Sequence, residues 1–250
     1  MLNFAVAASL TPHITFPDAR ATVLILYRWI HLIAGITWIG LLYFFNLVNT
    51  PLMKELDAPT KGKVFPPLMT RALWWFRMSA VITVFAGLLY FAHIVGTDAR
   101  NAGASQGPLM GSFFGIWTVT WGLMYALLIP GKGLLDKWPV LAILDTIIVG
   151  AASWLFLSLN SHGWESNQAL CIGIGGGIGW MMMLNVWGVI WRIQKRMIQW
   201  TKDSAVNGTP MPEKAKRMAR MAFVASRTNA ILSLPLLFLM GASSHYPFLG

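Results

Sequence analysis

His31 lies in "RWIHLIAGITWIG" (residues 28–40), at the head of a stretch with no charge between Arg28 and Lys54. An ionisable ring at membrane depth is costly and by default marks a site. On a helix, His31, Gly35 and Trp38 stand at i, i+4 and i+7 and share one face. A histidine over a glycine leaves room for something flat and bulky, with Trp38 packing its edge. Axial imidazole in a dry helix bundle holds haem b, and two such rings from facing helices make a low-spin electron-transfer centre. His93 is the expected second iron ligand because it also lies in an apolar run, and His245 in "SSHYPFLG" is the rival. Packing is the alternative, with His31 bonded to a neighbouring carbonyl and His93 reaching to the interface. A copper-type site using histidine and methionine is another. Met181, Met182 and Met183 are consecutive, however, and cannot share one helical face.

Three further charges fall in apolar runs: Arg77, Asp145 and Arg227. They form a candidate buried polar pair, Asp145 with either arginine, acting as structural glue or as a quinone or proton site. The single cysteine, Cys171, excludes an internal disulfide framework, a CxxCH haem attachment and any cysteine-based metal cage. No Ser–His–Asp set, carboxylate pair or HExxH motif occurs. Catalysis, where there is any, therefore belongs to a bound cofactor. "GIGGGIGW" (residues 173–180) follows no strand and lacks a GKS/T ending, so it is no phosphate loop. Its small residues suit close helix packing or the lining of a cofactor cleft.

The elements that position these residues follow from composition. The 250 residues are 56% hydrophobic and only 11% charged, with a mean hydropathy of +0.59. Soluble domains are usually about a quarter charged. The pattern predicts an all-α, polytopic membrane bundle, one integral domain over 1–250. Six spans are expected at about 22–48, 72–97, 109–130, 138–160, 169–191 and 222–243. Residues 1–21 read as a periplasmic or interfacial segment, and 192–221 as a basic cytoplasmic loop in which 194–200 and 214–221 are expected as short amphipathic helices on the membrane surface. Fourteen of the 19 lysines and arginines fall on the side of the first, third and fifth inter-helix loops. The positive-inside rule then places both termini in the periplasm of a bacterial inner membrane. His31, His93, His162 and His245 fall in or above the outer half, while Arg77, Asp145 and Arg227 lie towards the inner half. The net charge of +10 reflects this bias and an attraction to anionic lipid, with no base-reading module for nucleic acid.

Three stretches, "RWIHLIAGITWIG", "LNVWGVIWRIQKRMI" and "SRTNAILSLPLLFLMGASSHYP", together resemble the membrane domain of the bacterial membrane-bound urate hydroxylase family, the urate oxidase N-terminal domain. The resemblance implies roles for His31, His245, Asn185 and Arg227. Thr228 stands where the family has the histidine of S-R-H-N, and Trp74 where it has the histidine of L-H-W-F. The acidic residue that follows in the family is replaced near Ser79. Because the sequence stops at Gly250, the family's cytochrome c domain is expected to be missing. The first span is also similar to that of small membrane haem proteins that oxidise protoporphyrinogen.

The expected function is a haem b-binding electron-transfer or oxidoreductase subunit. It would work among other membrane subunits with a periplasmic cytochrome c and a quinone. The other readings are a cofactor-free structural or assembly subunit, a stand-alone oxidase of urate type, and a transporter or metal-handling protein.

Overall fold

A computed structural model describes residues 16–130 and 133–249, which form helices joined by turns with no strand among them. His13, most of the 1–21 segment and Lys132 lie outside the described residues. Six helical stretches are long and apolar enough to cross a bilayer, so the chain is a multi-pass, all-α membrane protein.

Helix α1 (Ala19–Tyr43) passes through a π-helical turn (Phe44–Asn49) into short α2 (Thr50–Glu55). Then come α3 (Ala58–Ala102), α4 (Gly107–Leu128) and α5 (Trp138–Asn160). Helix α6 (Asn167–Asn185) runs through a second π turn (Val186–Ile190) into α7 (Trp191–Asn207), and α8 (Lys214–Ala242) closes the bundle. Caps set the boundaries. Asp18 accepts from the Ala21 N–H at 2.7 Å to start α1. Ser166 caps α6 through the Ala169 N–H, and Asp98 accepts the Ser166 hydroxyl at 2.6 Å. Gly103 and Gly208 end α3 and α7 at φ of 66° and 67°, where an L side chain would be strained.

The basic stretch 192–221 between the fifth and sixth spans carries helix at both expected places, 194–200 and 214–221, but as longer pieces: the continuation of α6 through α7 and the first turns of α8, leaving only 208–213 between them. The physical reason is an apolar stripe hidden among charges. Ile193 is buried, and Met197 and Ile198 pack on the core. Helix α3 extends to meet them: a Cβ at Gly62 would lie 2.6 Å from that of Ala205. At 1.5 Å per residue, its 45 residues span about 67 Å, well beyond a hydrocarbon core of about 30 Å. The excess forms a helical, basic platform at one end of the bundle.

Helix α6 runs through the centre. Gly177 receives the Trp117 indole of α4, whose N–H donates to the Gly173 carbonyl at 3.0 Å, and Gly173 itself receives Phe156 of α5. On another face, α6 packs against α8, while α1 packs chiefly against α3. The α1/α3 pair and the α6/α8 pair enclose a space between them.

Candidate functional site

That space is a cavity of about 680 Å³, and His31, Gly35 and Trp38 all line it. Such a volume lies inside the range of small-molecule and cofactor sites. The sequence-level face is therefore real. The glycine that accommodates the histidine, however, is not Gly35, whose absent Cβ would make an ordinary 3.6 Å contact with Thr83. It is Gly87 on α3. A Cβ there would sit 2.7 Å from His31 Nδ1 and 2.8 Å from Cε1, so the imidazole occupies the place of a side chain.

The ring is held as well as accommodated. Nδ1 lies 2.7 Å from the Thr83 carbonyl oxygen. A carbonyl only accepts, so Nδ1 carries a proton, and in the neutral ring the lone pair is then on Nε2. Among the described residues Nε2 has no hydrogen-bond partner. A backbone carbonyl on one imidazole nitrogen is the usual way of orienting the other towards a metal. The packing alternative accounts for Nδ1 and assigns nothing to Nε2.

Across from His31 the wall is made by Gly175, Gly176 and Gly179 of α6 and by Leu236 and Met240 of α8. The small-residue run thus packs through Gly173 and Gly177 on one side and lines the cavity through Gly175, Gly176 and Gly179 on the other. At the mouth, the Arg28 guanidinium lies 5.5 Å from the Tyr90 ring centroid. Gln168 donates to the Ser244 hydroxyl at 3.2 Å. All of these line the cavity. Leu32 and Ile36 of α1 and Leu237 of α8 line it too and are exposed, so it opens sideways between those helices towards lipid.

The other histidines lie elsewhere. His93 is outside the cavity lining, and its Nε2 is 3.3 Å from an Arg20 guanidinium nitrogen at the same end of the bundle. The six residues from Gly87 turn it off the face that holds His31. His245 is exposed, one residue beyond the cavity-lining Ser244. His162 pairs with Glu165 at 2.8 Å in a loop. Among the described residues no cluster of three or more His, Cys, Asp or Glu forms a metal site.

A second polar region lies nearer the basic end. Asn185 donates to Asn229 at 2.9 Å, Trp121 donates to Asn185 at 2.9 Å, and Asn229 donates to the Met182 carbonyl at 3.0 Å. Asn46, in the first π turn, donates to the Ser226 hydroxyl at 2.9 Å. The expected pairing of Asp145 with Arg77 or Arg227 does not form. Asp145 instead accepts from Thr228 at 3.2 Å. The guanidinium of Arg77 stacks 3.8 Å from the Trp191 ring, and that of Arg227 lies over Phe223 at 5.4 Å. Aromatic faces lie against these cations in place of a carboxylate, and Arg77 Nε is buried without a hydrogen-bond partner among the described residues.

The three sequence stretches quoted for the resemblance thus converge. The first forms the cavity wall, the second supplies Asn185, and the third supplies Ser226, Thr228 and Asn229. The family's sequence model, described as urate oxidase N-terminal, matches residues 19–250. The chain belongs to the urate oxidase N-terminal family. No curated protein and no solved structure matches it.

Within this urate oxidase N-terminal fold, sequence reasoning missed Thr83, Gly87 and Met240. Gly87 left a faint signal, a lone glycine in the apolar run "VFAGLLYF". Thr83 acts through its carbonyl, which any residue type supplies, so no sequence signal marks it.

Proposed function

We propose that this chain is a redox subunit of a bacterial inner membrane that holds haem b on His31 and exchanges electrons with a periplasmic cytochrome c. The observation that carries this reading is the 2.7 Å contact of His31 Nδ1 with the Thr83 carbonyl, which leaves Nε2 as the ring's ligating nitrogen in a cofactor-sized apolar cavity.

The residues present fit the group. Gly87 gives the imidazole its place, and Gly175, Gly176 and Gly179 line the cavity while leaving room for Leu236 and Met240 of α8. Arg28, Gln168 and Ser244 at the mouth supply hydrogen-bond donors suited to the haem carboxylates. Apolar walls of Leu32, Ile36 and Leu236 keep water from the ring faces. When bound, haem supplies one-electron chemistry that these side chains lack. The cavity mouth lies at the end opposite the basic platform, which by the positive-inside rule faces the cytoplasm. The histidine is therefore near the periplasmic surface, where a soluble carrier docks. The replacement of two family histidines by Thr228 and Trp74 leaves His31 as the imidazole of the site.

The test is haem content. Protein produced with ample haem and extracted in mild detergent should carry one haem b per chain, reoxidised after reduction by a soluble cytochrome c. His31→Ala should reach the membrane at the same level without haem. Wild-type protein lacking haem would return the chain to the class of structural subunits.

A further inference from the structure

His31 occupies the α1/α3 wall, so the other side of any flat ligand it holds faces α6 and α8. Four lining side chains have atoms that bind haem iron: His31, Tyr43, Tyr90 and Met240. Tyr43 is twelve residues from His31 along α1, about 18 Å at 1.5 Å per residue, and its hydroxyl is 2.9 Å from that of Ser233. It is too deep and already engaged. Tyr90 belongs to α3, the wall that carries His31, one turn from Gly87, and it lies under Arg28. It is on the wrong side.

Met240 remains, and its position suits the role. It is on α8, and its methyl group rests against α6, 3.2 Å from where a Cβ of Gly175 would be and 3.9 Å from that of Gly176. The glycines leave this side chain the space it uses. Met240 reaches the cavity from α8 and His31 from α1, so the two enter it from facing walls. Met240 is part-buried and lines the cavity.

We propose that Met240 is the second axial ligand of the iron, opposite His31, an assignment that rests on the haem reading above. A soft, neutral thioether opposite imidazole makes a six-coordinate, low-spin centre and raises its reduction potential relative to two histidines.

Electronic spectra, near-infrared magnetic circular dichroism and potentiometric titration of the purified holoprotein test this. The oxidised wild type should be low-spin with a thioether-to-iron charge-transfer band. Met240→Leu should keep haem but become high-spin, lose that band and bind carbon monoxide when reduced. Met240→His should stay low-spin at a lower midpoint potential, which also covers the case in which the leucine variant does not accumulate. A wild type that is high-spin, or low-spin without the thioether band, overturns the assignment while leaving haem on His31 intact. So does a leucine or histidine variant with the wild-type spectrum and potential. Absence of haem from the wild type would instead defeat the underlying reading, and this one with it.

Discussion

Gly87→Ala tests the His31 geometry from a position that carries no functional group. The new methyl would meet His31 Nδ1 at 2.7 Å and Cε1 at 2.8 Å. Ordinary contact is about 3.5–4.0 Å, so the ring must retreat from α3 by roughly 1 Å. The acceptor, the Thr83 carbonyl, is on α3 too, at 2.7 Å from Nδ1. A retreat of that size takes the hydrogen bond beyond its useful range. The stability loss is then about 1 kcal/mol, one hydrogen bond's worth, and the protein still folds and inserts. Ligand orientation suffers more: losing the group that fixes a metal-bound imidazole typically weakens binding by about 10–100-fold. The assay is haem transfer to an excess of apomyoglobin, followed by absorbance. Gly150→Ala is the control, because a Cβ there meets nothing within 4 Å. Equal haem retention in Gly87→Ala and wild type would refute the claim that α3 positions the iron ligand.

His93→Ala and His245→Ala should leave any haem spectrum unchanged, since neither side chain lines the cavity; an altered spectrum in either would reopen the choice of ligands. Thr228→Val removes the donor to buried Asp145 and should cost about 1–3 kcal/mol in detergent-solubilised stability, while Asp145→Asn, which has no cation to lose, should cost less. The order of the two melting temperatures decides it. Gly177→Ala collides with the buried Trp117 indole and should lose about 3 kcal/mol by overpacking, visible as poor accumulation in the membrane. Replacing Lys214, Lys216 and Arg217 with Gln should weaken binding to vesicles rich in anionic lipid by about 1 kcal/mol per charge, without touching the spectrum. Co-flotation measures the first effect and absorbance the second.

Much of this architecture is written locally. Runs of about 20 apolar residues announce the spans, and the i, i+4, i+7 spacing of His31, Gly35 and Trp38 correctly puts them on one cavity wall. What stays hidden depends on pairing between distant segments. His31 and Thr83 are 52 residues apart, and only the packing of α1 on α3 makes Gly87 the glycine that matters. The Asp145–arginine pairing failed for a related reason. Shared depth does not fix which helix faces which, and Trp191 on the extended α7 reaches Arg77 instead. In "WRIQKRMIQWTKDSAVN" the amphipathic helix at 194–200 is legible, but its continuity with α6 and its packing onto α3 are not, because both depend on distant segments.

The central claim, that His31 is an iron ligand and not a packing residue, is tested most directly by removing the imidazole and giving it back. His31→Gly leaves a hole of the right shape beside Gly87. Purified in haem-containing buffer, this variant should show no low-spin b-type difference spectrum, and added imidazole should restore it in a saturable way. A wild-type spectrum in His31→Gly without imidazole, or a wild-type chain that never takes up haem, would contradict the account.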